Sequence, residues 1–341
     1  MKRILLSLLC FTATSSLALA GNPDPDRPKL VVGLVVDQMR WDYLYKFYDR
    51  YGNDGFRRLM RDGFNCEQTF INYIPSYTAP GHTCVYTGSV PAIHGIAGNE
   101  WFDNHTGKYW YCTEDTAVLP VGGSRLAGRM SPRNLLTSTV TDELRLATNF
   151  GSRVFGIAMK DRGSILPAGH LGAAYWYDDS TGNFISSTYY SESLPGWLEQ
   201  FNNRRLADSF LSKDWHPLYP AATYRQSLPD NNRYEGLFPG EVTPVFPHSI
   251  NRKNGYGMLR RIPAGNTMTL DAARSCLRGE QLGKGKFTDF LCISLSSTDY
   301  IGHQYAPDAM EVEDTYLRLD RELASLLKFL DEHVGKGQYL F

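Results

Sequence analysis

Three short apolar runs, each followed at once or within a few residues by a charged side chain, constrain this chain more than any other feature. They are KLVVGLVV before Asp37, RVFGIAM before Lys160, and FLCISL shortly before Asp299. A run with no polar alternation is buried on both faces, as in a central parallel strand. Between and after them lie helical patterns: an aromatic and basic stretch over 40–61, and apolar positions at steps of three and four over 311–334. Strands alternating with helices predict an α/β fold built on a central, mostly parallel sheet flanked by helices. Ligands of such sheets sit beyond the carboxyl ends of the strands, where Asp37, Lys160 and Asp299 fall. Gln338-Tyr339-Leu340-Phe341, after the turn Gly335-Lys336-Gly337, reads as the opening of a fourth strand.

Residues 1–20 read differently. Lys2 and Arg3 precede an apolar stretch, and Ala18-Leu19-Ala20 places small residues at a cleavage point, so 1–20 is expected to be a secretory signal peptide. Its apolar run is shorter than the ~20 residues a membrane span needs, and no other segment qualifies. Residues 21–28 are a Pro-rich linker, and 29–341 are expected to form one α/β domain. That domain includes a hairpin and loop-rich insertion over 171–265, in which the aromatic segments of 173–190 flank Asp179-Ser180-Thr181-Gly182-Asn183.

The 341 residues carry 42% hydrophobic and 21% charged side chains and a net charge of −1, a globular composition with no electrostatic case for a nucleic-acid polymer. Five cysteines remain beyond the leader: Cys66, Cys84, Cys112, Cys276 and Cys292. None has the spacing of a cysteine zinc site. An odd number leaves at least one thiol free after export, and Cys292, inside an apolar run, is the expected one.

Several features carry chemistry. Thr78 precedes Ala79-Pro80-Gly81, where a helix can begin; a helix start favours anions, and on this segment alone Thr78 reads first as an N-cap. Asp299 and His303, four apart, can converge on one metal, since zinc accepts oxygen and nitrogen, or can be a surface acid with a capping histidine. Lys160 and Arg162, two apart in extended geometry, would face one way and grip an oxyanion, or else form a salt-bridged strand end. His82 and His94 are expected to serve packing or hydrogen bonding, and His170 follows the lysine–arginine segment.

Taken together and in order, VVDQMRWDYL, NYIPSYTAPGHT, HGIAGNEWFD, MKDRGSILPAGH and SSTDYIGHQYAP resemble the alkaline phosphatase superfamily. The likeness is closest to the secreted bacterial, phosphate-irrepressible branch, which shares a core with type I phosphodiesterases and nucleotide pyrophosphatases. The resemblance implies two zinc ions flanking a nucleophile. Thr78 matches that nucleophile and Asp37 a ligand of the zinc that activates it. Asp299 and His303 match ligands of the other zinc. Asn99 matches an amide donor to a phosphoryl oxygen, and Lys160 and Arg162 the pair that grips phosphate in the monoesterase branch. The function implied is hydrolysis of small phosphate monoesters at alkaline pH through a phospho-threonine, in the periplasm or medium of a bacterium. The rivals are a phosphodiesterase on the same core and a non-catalytic phosphate- or metal-binding remnant.

The family pattern also needs an Asp-His pair on a further strand, to complete the zinc at Asp37, and a later histidine for the zinc at Asp299. No Asp-His dipeptide occurs here; Asp331-Glu332-His333 lies on the long helix. The expectation is therefore a C-terminally incomplete sequence, with the last strands of the core and the remaining zinc ligands beyond residue 341. Such a fragment is expected to bind metal weakly, to lack turnover and to be poorly soluble.

Overall fold

A computed structural model describes residues 27–250 and 252–341. The expected signal peptide over 1–20 and most of the expected linker over 21–28 lie outside the described residues. Nine strands are present among them: β1 (Leu30–Val36), β2 (Glu100–Asp103), β3 (Lys108–Tyr111), β4 (Pro120–Val121), β5 (Val154–Ala158), β6 (Ala173–Asp178), β7 (Asn183–Ser187), β8 (Asp289–Leu295) and β9 (Tyr339–Leu340). Seven form one sheet in the order β4-β7-β6-β5-β8-β1-β9, and β2 pairs with β3 apart from it. The run from β6 through β5, β8 and β1 to β9 is parallel; β7 and β4 add an antiparallel edge. The α/β expectation holds, and its three apolar runs are the adjacent strands β5, β8 and β1.

All seven residues of β8 are buried, as burial on both faces requires. Leu291, Ile293 and Leu295 join the large core with Val32 and Ile157, under the helices Ala264–Gly279 and Met310–Leu330. Phe290 and Cys292, on the other face, meet Val154 and Tyr86 of the helix Thr78–Thr87. The hairpin β6–β7 does not stand beside the sheet: β6 extends it from β5. The described chain over 215–261 is loop-rich, with 3-10 turns and one isolated bridge between Trp215 and His248.

One element departs from the periodicity. The stretch 40–61 is not one helix but Tyr43–Lys46, a 3-10 turn Tyr48–Arg50, and Phe56–Asp62. The break follows from Asp320, whose buried carboxylate accepts the N–H groups of Gly52 at 2.7 Å and Phe56 at 2.8 Å. A side chain at Gly55 would collide with that carboxylate. All five described cysteines are free, Cys292 among them; its buried thiol points at the carbonyl of Pro167. No helix among the described residues is long and apolar enough to cross a membrane.

Candidate active site

The carboxyl ends of β5, β8 and β1 are sewn together. Asp37 N donates to Leu295 O at 3.1 Å, one step past the last ladder pair of β1 and β8. Thr298 Oγ1 donates to the carbonyl of Asp37 at 2.7 Å, which ties the helix Ser297–Tyr305 to the same point. Asp37 and Asp299 thus reach one cavity of about 740 Å³, which is also lined by Thr78, His82, Asn99, Lys160, Arg162, Tyr300 and His303. Every site residue expected from the sequence lines it.

Lys160 is the hub. Its Nζ donates to Asp37 Oδ2 at 2.7 Å, to Asp299 Oδ2 at 2.5 Å and to Thr78 Oγ1 at 3.2 Å. It lies 5.0 Å above the Tyr300 ring. Burial alone would raise the pKa of the Asp37 carboxyl; the charge and hydrogen bond of Lys160, with the charge of Arg162, outweigh it, and the net shift is downward. Asp37 is therefore a carboxylate near neutral pH.

Thr78 is the first residue of its helix, not the cap. Tyr77 holds the cap position with extended backbone and makes no side-chain cap bond. The Thr78 hydroxyl is consequently free of the helix end and donates to Asp37 Oδ2 at 3.2 Å. Asn99 supports the same turn: its Oδ1 accepts from Ala79 N at 3.0 Å, which leaves its NH₂ as the group available to the cavity. Beneath Thr78, His82 Nδ1–H donates to the Thr78 carbonyl at 2.8 Å, so its Nε2 is the acceptor for Ser294 Oγ at 2.8 Å. Burial lowers the His82 pKa and keeps the ring neutral. His94 is equally occupied, with Nδ1 accepting from Ile96 N and Nε2 against Cys84 Sγ at 3.2 Å.

Lys160 and Arg162 do converge, by a different geometry from the extended one expected. Lys160 is the extended N-cap and Arg162 the second residue of the helix Asp161–Ala168. His170 turns away from the site, toward Asp142 and the Leu135 carbonyl. Sequence reasoning missed Gln38, whose Nε2 donates to Asp299 Oδ1 at 3.2 Å, and Tyr111, whose hydroxyl accepts from Arg162 Nη1 at 2.7 Å. Gln38 directly follows Asp37 in the first motif; nothing in the sequence marks Tyr111.

A divalent cation fits this donor chemistry. Two carboxylates, a hydroxyl and an imidazole supply oxygen and nitrogen of the kind zinc takes, and an ammonium now stands between the carboxylates. Asp37 and Thr78 would hold one ion; Asp299 and His303, 3.3 Å apart, would hold another. Among the described residues, however, no three His, Cys, Asp or Glu side chains converge on one point as a ligand set.

The described domain matches the family of type I phosphodiesterases / nucleotide pyrophosphatases over residues 31–341, and the chain belongs to that family. Within it the likeness to alkaline phosphatases expected from the motifs is borne out. Alkaline phosphatase PhoV of Synechococcus elongatus is 54% identical over 92% of this chain and 58% of its own length. A Myroides odoratus protein named calcium-transporting ATPase is 53% identical over 98% of this chain and 62% of its own. The crystal structure of wild-type alkaline phosphatase PafA superposes with a TM-score of 0.91 at 51% identity, covering 93% of this chain and 62% of that one. The chain thus spans 58–62% of the length of these relatives.

Proposed function

We propose that this chain carries the phosphoryl-binding site of an exported bacterial phosphate monoesterase that works through Thr78 and two zinc ions. The observation that carries the reading is the convergence of Asp299, Asp37 and Thr78 on Lys160 Nζ, at 2.5, 2.7 and 3.2 Å, with Thr78 Oγ1 also donating to Asp37 at 3.2 Å. The likeness to PhoV and PafA, both named alkaline phosphatases, supports it.

Bound divalent ions would supply Lewis acidity that makes the Thr78 alkoxide accessible and offsets charge on the leaving oxygen. The rest falls to the chain. The Thr78 hydroxyl gives up its proton to solvent and its Oγ1 attacks phosphorus as the bond to the ester oxygen breaks; the alcohol leaves after taking a proton from water, and a phospho-threonine remains. Water then attacks that phosphorus, orthophosphate leaves and the hydroxyl is restored. The Asn99 NH₂ donates to a non-bridging oxygen. Lys160 and Arg162 hold the two negative charges of a monoester, for which a diester, with one charge and one more substituent, has less use.

The test compares nitrophenyl phosphate with a matching diester on the full-length gene product. Monoester turnover should dominate, and Lys160→Ala with Arg162→Ala should reduce it on the order of 100-fold while affecting the diester less. Equal or better diester turnover favours the phosphodiesterase reading instead. Loss of neither activity in Thr78→Ala defeats the proposal.

A further inference from the structure

Asp161 and Arg162 are neighbours in sequence, yet the structure joins them through a third residue instead of as an ion pair. The Tyr111 hydroxyl, at the end of β3, accepts from Arg162 Nη1 at 2.7 Å and donates to Asp161 Oδ1 at 2.8 Å. The second oxygen of Asp161 accepts from Thr113 Oγ1. Both carboxylate oxygens are therefore occupied by hydroxyls. The Tyr111 ring also lies beside the guanidinium, whose carbon is 5.9 Å from the ring centroid. Arg162 Nε is buried and has no hydrogen-bond partner.

The consequence is electrostatic as well as geometric. A carboxylate bound directly to the guanidinium would occupy its donors and cancel much of its charge. One phenol between them keeps the carboxylate a hydrogen bond away, fixes Nη1, and leaves the remaining donors for whatever anion enters the cavity. An unpartnered buried N–H is costly, and a phosphoryl oxygen would relieve that cost.

We propose that Tyr111 is a positioning residue for the phosphoryl group: it aims Arg162 and insulates it from Asp161. The inference rests on the monoesterase reading, because it concerns the cation that a doubly charged substrate uses.

The experiment measures inorganic phosphate affinity by calorimetry, and kcat/KM for the monoester and the diester, on the zinc-loaded full-length protein. Tyr111→Phe should weaken phosphate binding and monoester kcat/KM by about tenfold, with the diester changed by no more than about twofold. In an Arg162→Ala background it should change nothing further. Adding Asp161→Asn to Tyr111→Phe should recover part of the loss, since no carboxylate then captures the guanidinium. Equal losses on both substrates, or a full additional loss beside Arg162→Ala, would show a merely structural role and overturn the inference. Thr113→Val, which frees one Asp161 oxygen, should give a smaller loss of the same pattern and serves should Tyr111→Phe fail to fold. A wild-type protein that binds phosphate without hydrolysing monoesters refutes the functional reading alone, and the affinities still decide the role of Tyr111. One that neither binds nor hydrolyses refutes both.

Discussion

Lys160 Nζ stands 2.7 Å from Asp37 Oδ2, although 123 residues separate the two in sequence. The contact exists because β5 and β1 flank β8, so that both strand ends open on one hollow. The same ammonium neutralises Asp299, and only 2% of the Lys160 side chain is exposed. Removing it strands two carboxylates in a poorly hydrated place. Lys160→Met is expected to destabilise the metal-free protein by about 3 kcal/mol, the lower end of what breaking a buried pair costs. Zinc, taking the carboxylates in its place, should stabilise the variant more than it stabilises the wild type. Thermal unfolding with chelator and with zinc checks both statements; a variant as stable as the wild type in chelator contradicts the first.

Gln38 offers a way to disturb the metal side without disturbing the fold. Its backbone is left-handed at φ 61°, which turns the chain sharply after Asp37 and lays the side chain on Asp299. A methyl on Gly302 would collide with Gln38 Oε1, the far end of a flexible side chain. Gly302→Ala should therefore push Gln38 off Asp299, while alanine within the Ser297–Tyr305 helix returns up to about 0.8 kcal/mol of helix propensity. The expected result is a protein at least as stable as the wild type with weaker zinc affinity. Unfolding curves and chelator-competition titration measure the two; unchanged zinc affinity would remove Gln38 from the site's support.

The strands and the reactive ends were legible because buried parallel strands leave a continuous apolar signature, and because a strand's last residue has a defined place in such a sheet. What sequence could not show was pairwise closure. Asp320 splits the 40–61 helix from more than 260 residues away, and no local periodicity carries that. Thr78 is suited to capping by type, yet the cap position falls one residue earlier, at Tyr77, which makes no side-chain cap bond, and Thr78 opens the helix. Lys160 and Arg162 share a cavity through a cap and a helical turn, where two-residue spacing pointed to a strand. Tyr111 is invisible in sequence, since its role depends on where a short separate hairpin comes to rest.

His170 provides a pH test away from the site. Its Nε2 faces the Leu135 carbonyl at 3.0 Å and its Nδ1 faces Asp142 Oδ2 at 3.3 Å. Both partners only accept, so the protonated ring, with both nitrogens donating, is the form these two contacts favour. The Asp142 hydrogen bond raises the His170 pKa above the ordinary 6.5, against a smaller opposing effect of burial. A raised folded pKa contributes stability that is complete below the unfolded value and vanishes as pH climbs through the folded one. His170→Asn should thus lower the melting temperature clearly at pH 5 and little at pH 9, and a gap that widens toward alkaline pH would contradict the assignment.

Asp314 is the fastening of the loop-rich segment. Its Oδ1 accepts from Leu218 N at 2.6 Å and Tyr224 OH at 2.5 Å; its Oδ2 accepts from Trp215 Nε1 at 2.8 Å and Arg318 Nε at 2.6 Å. Four donors surround a group that can only accept. Asparagine has the same shape but turns an NH₂ toward two of those donors, each then left buried without an acceptor. The expected cost of Asp314→Asn is about 3 kcal/mol, from two unsatisfied groups at 1–3 kcal/mol each with partial relaxation. The segment this carboxylate anchors continues to Arg260, whose Nη1 donates at 2.6 Å to the carbonyl of Met159, the residue before Lys160. Loosening at Asp314 should therefore appear first as faster amide exchange at residues 215–224 and then, more weakly, at 256–261. Urea unfolding followed by Trp fluorescence gives the energy, and hydrogen exchange gives the spread; a loss below about 1 kcal/mol would mean that water replaces the missing acceptor, and that the segment does not depend on this carboxylate.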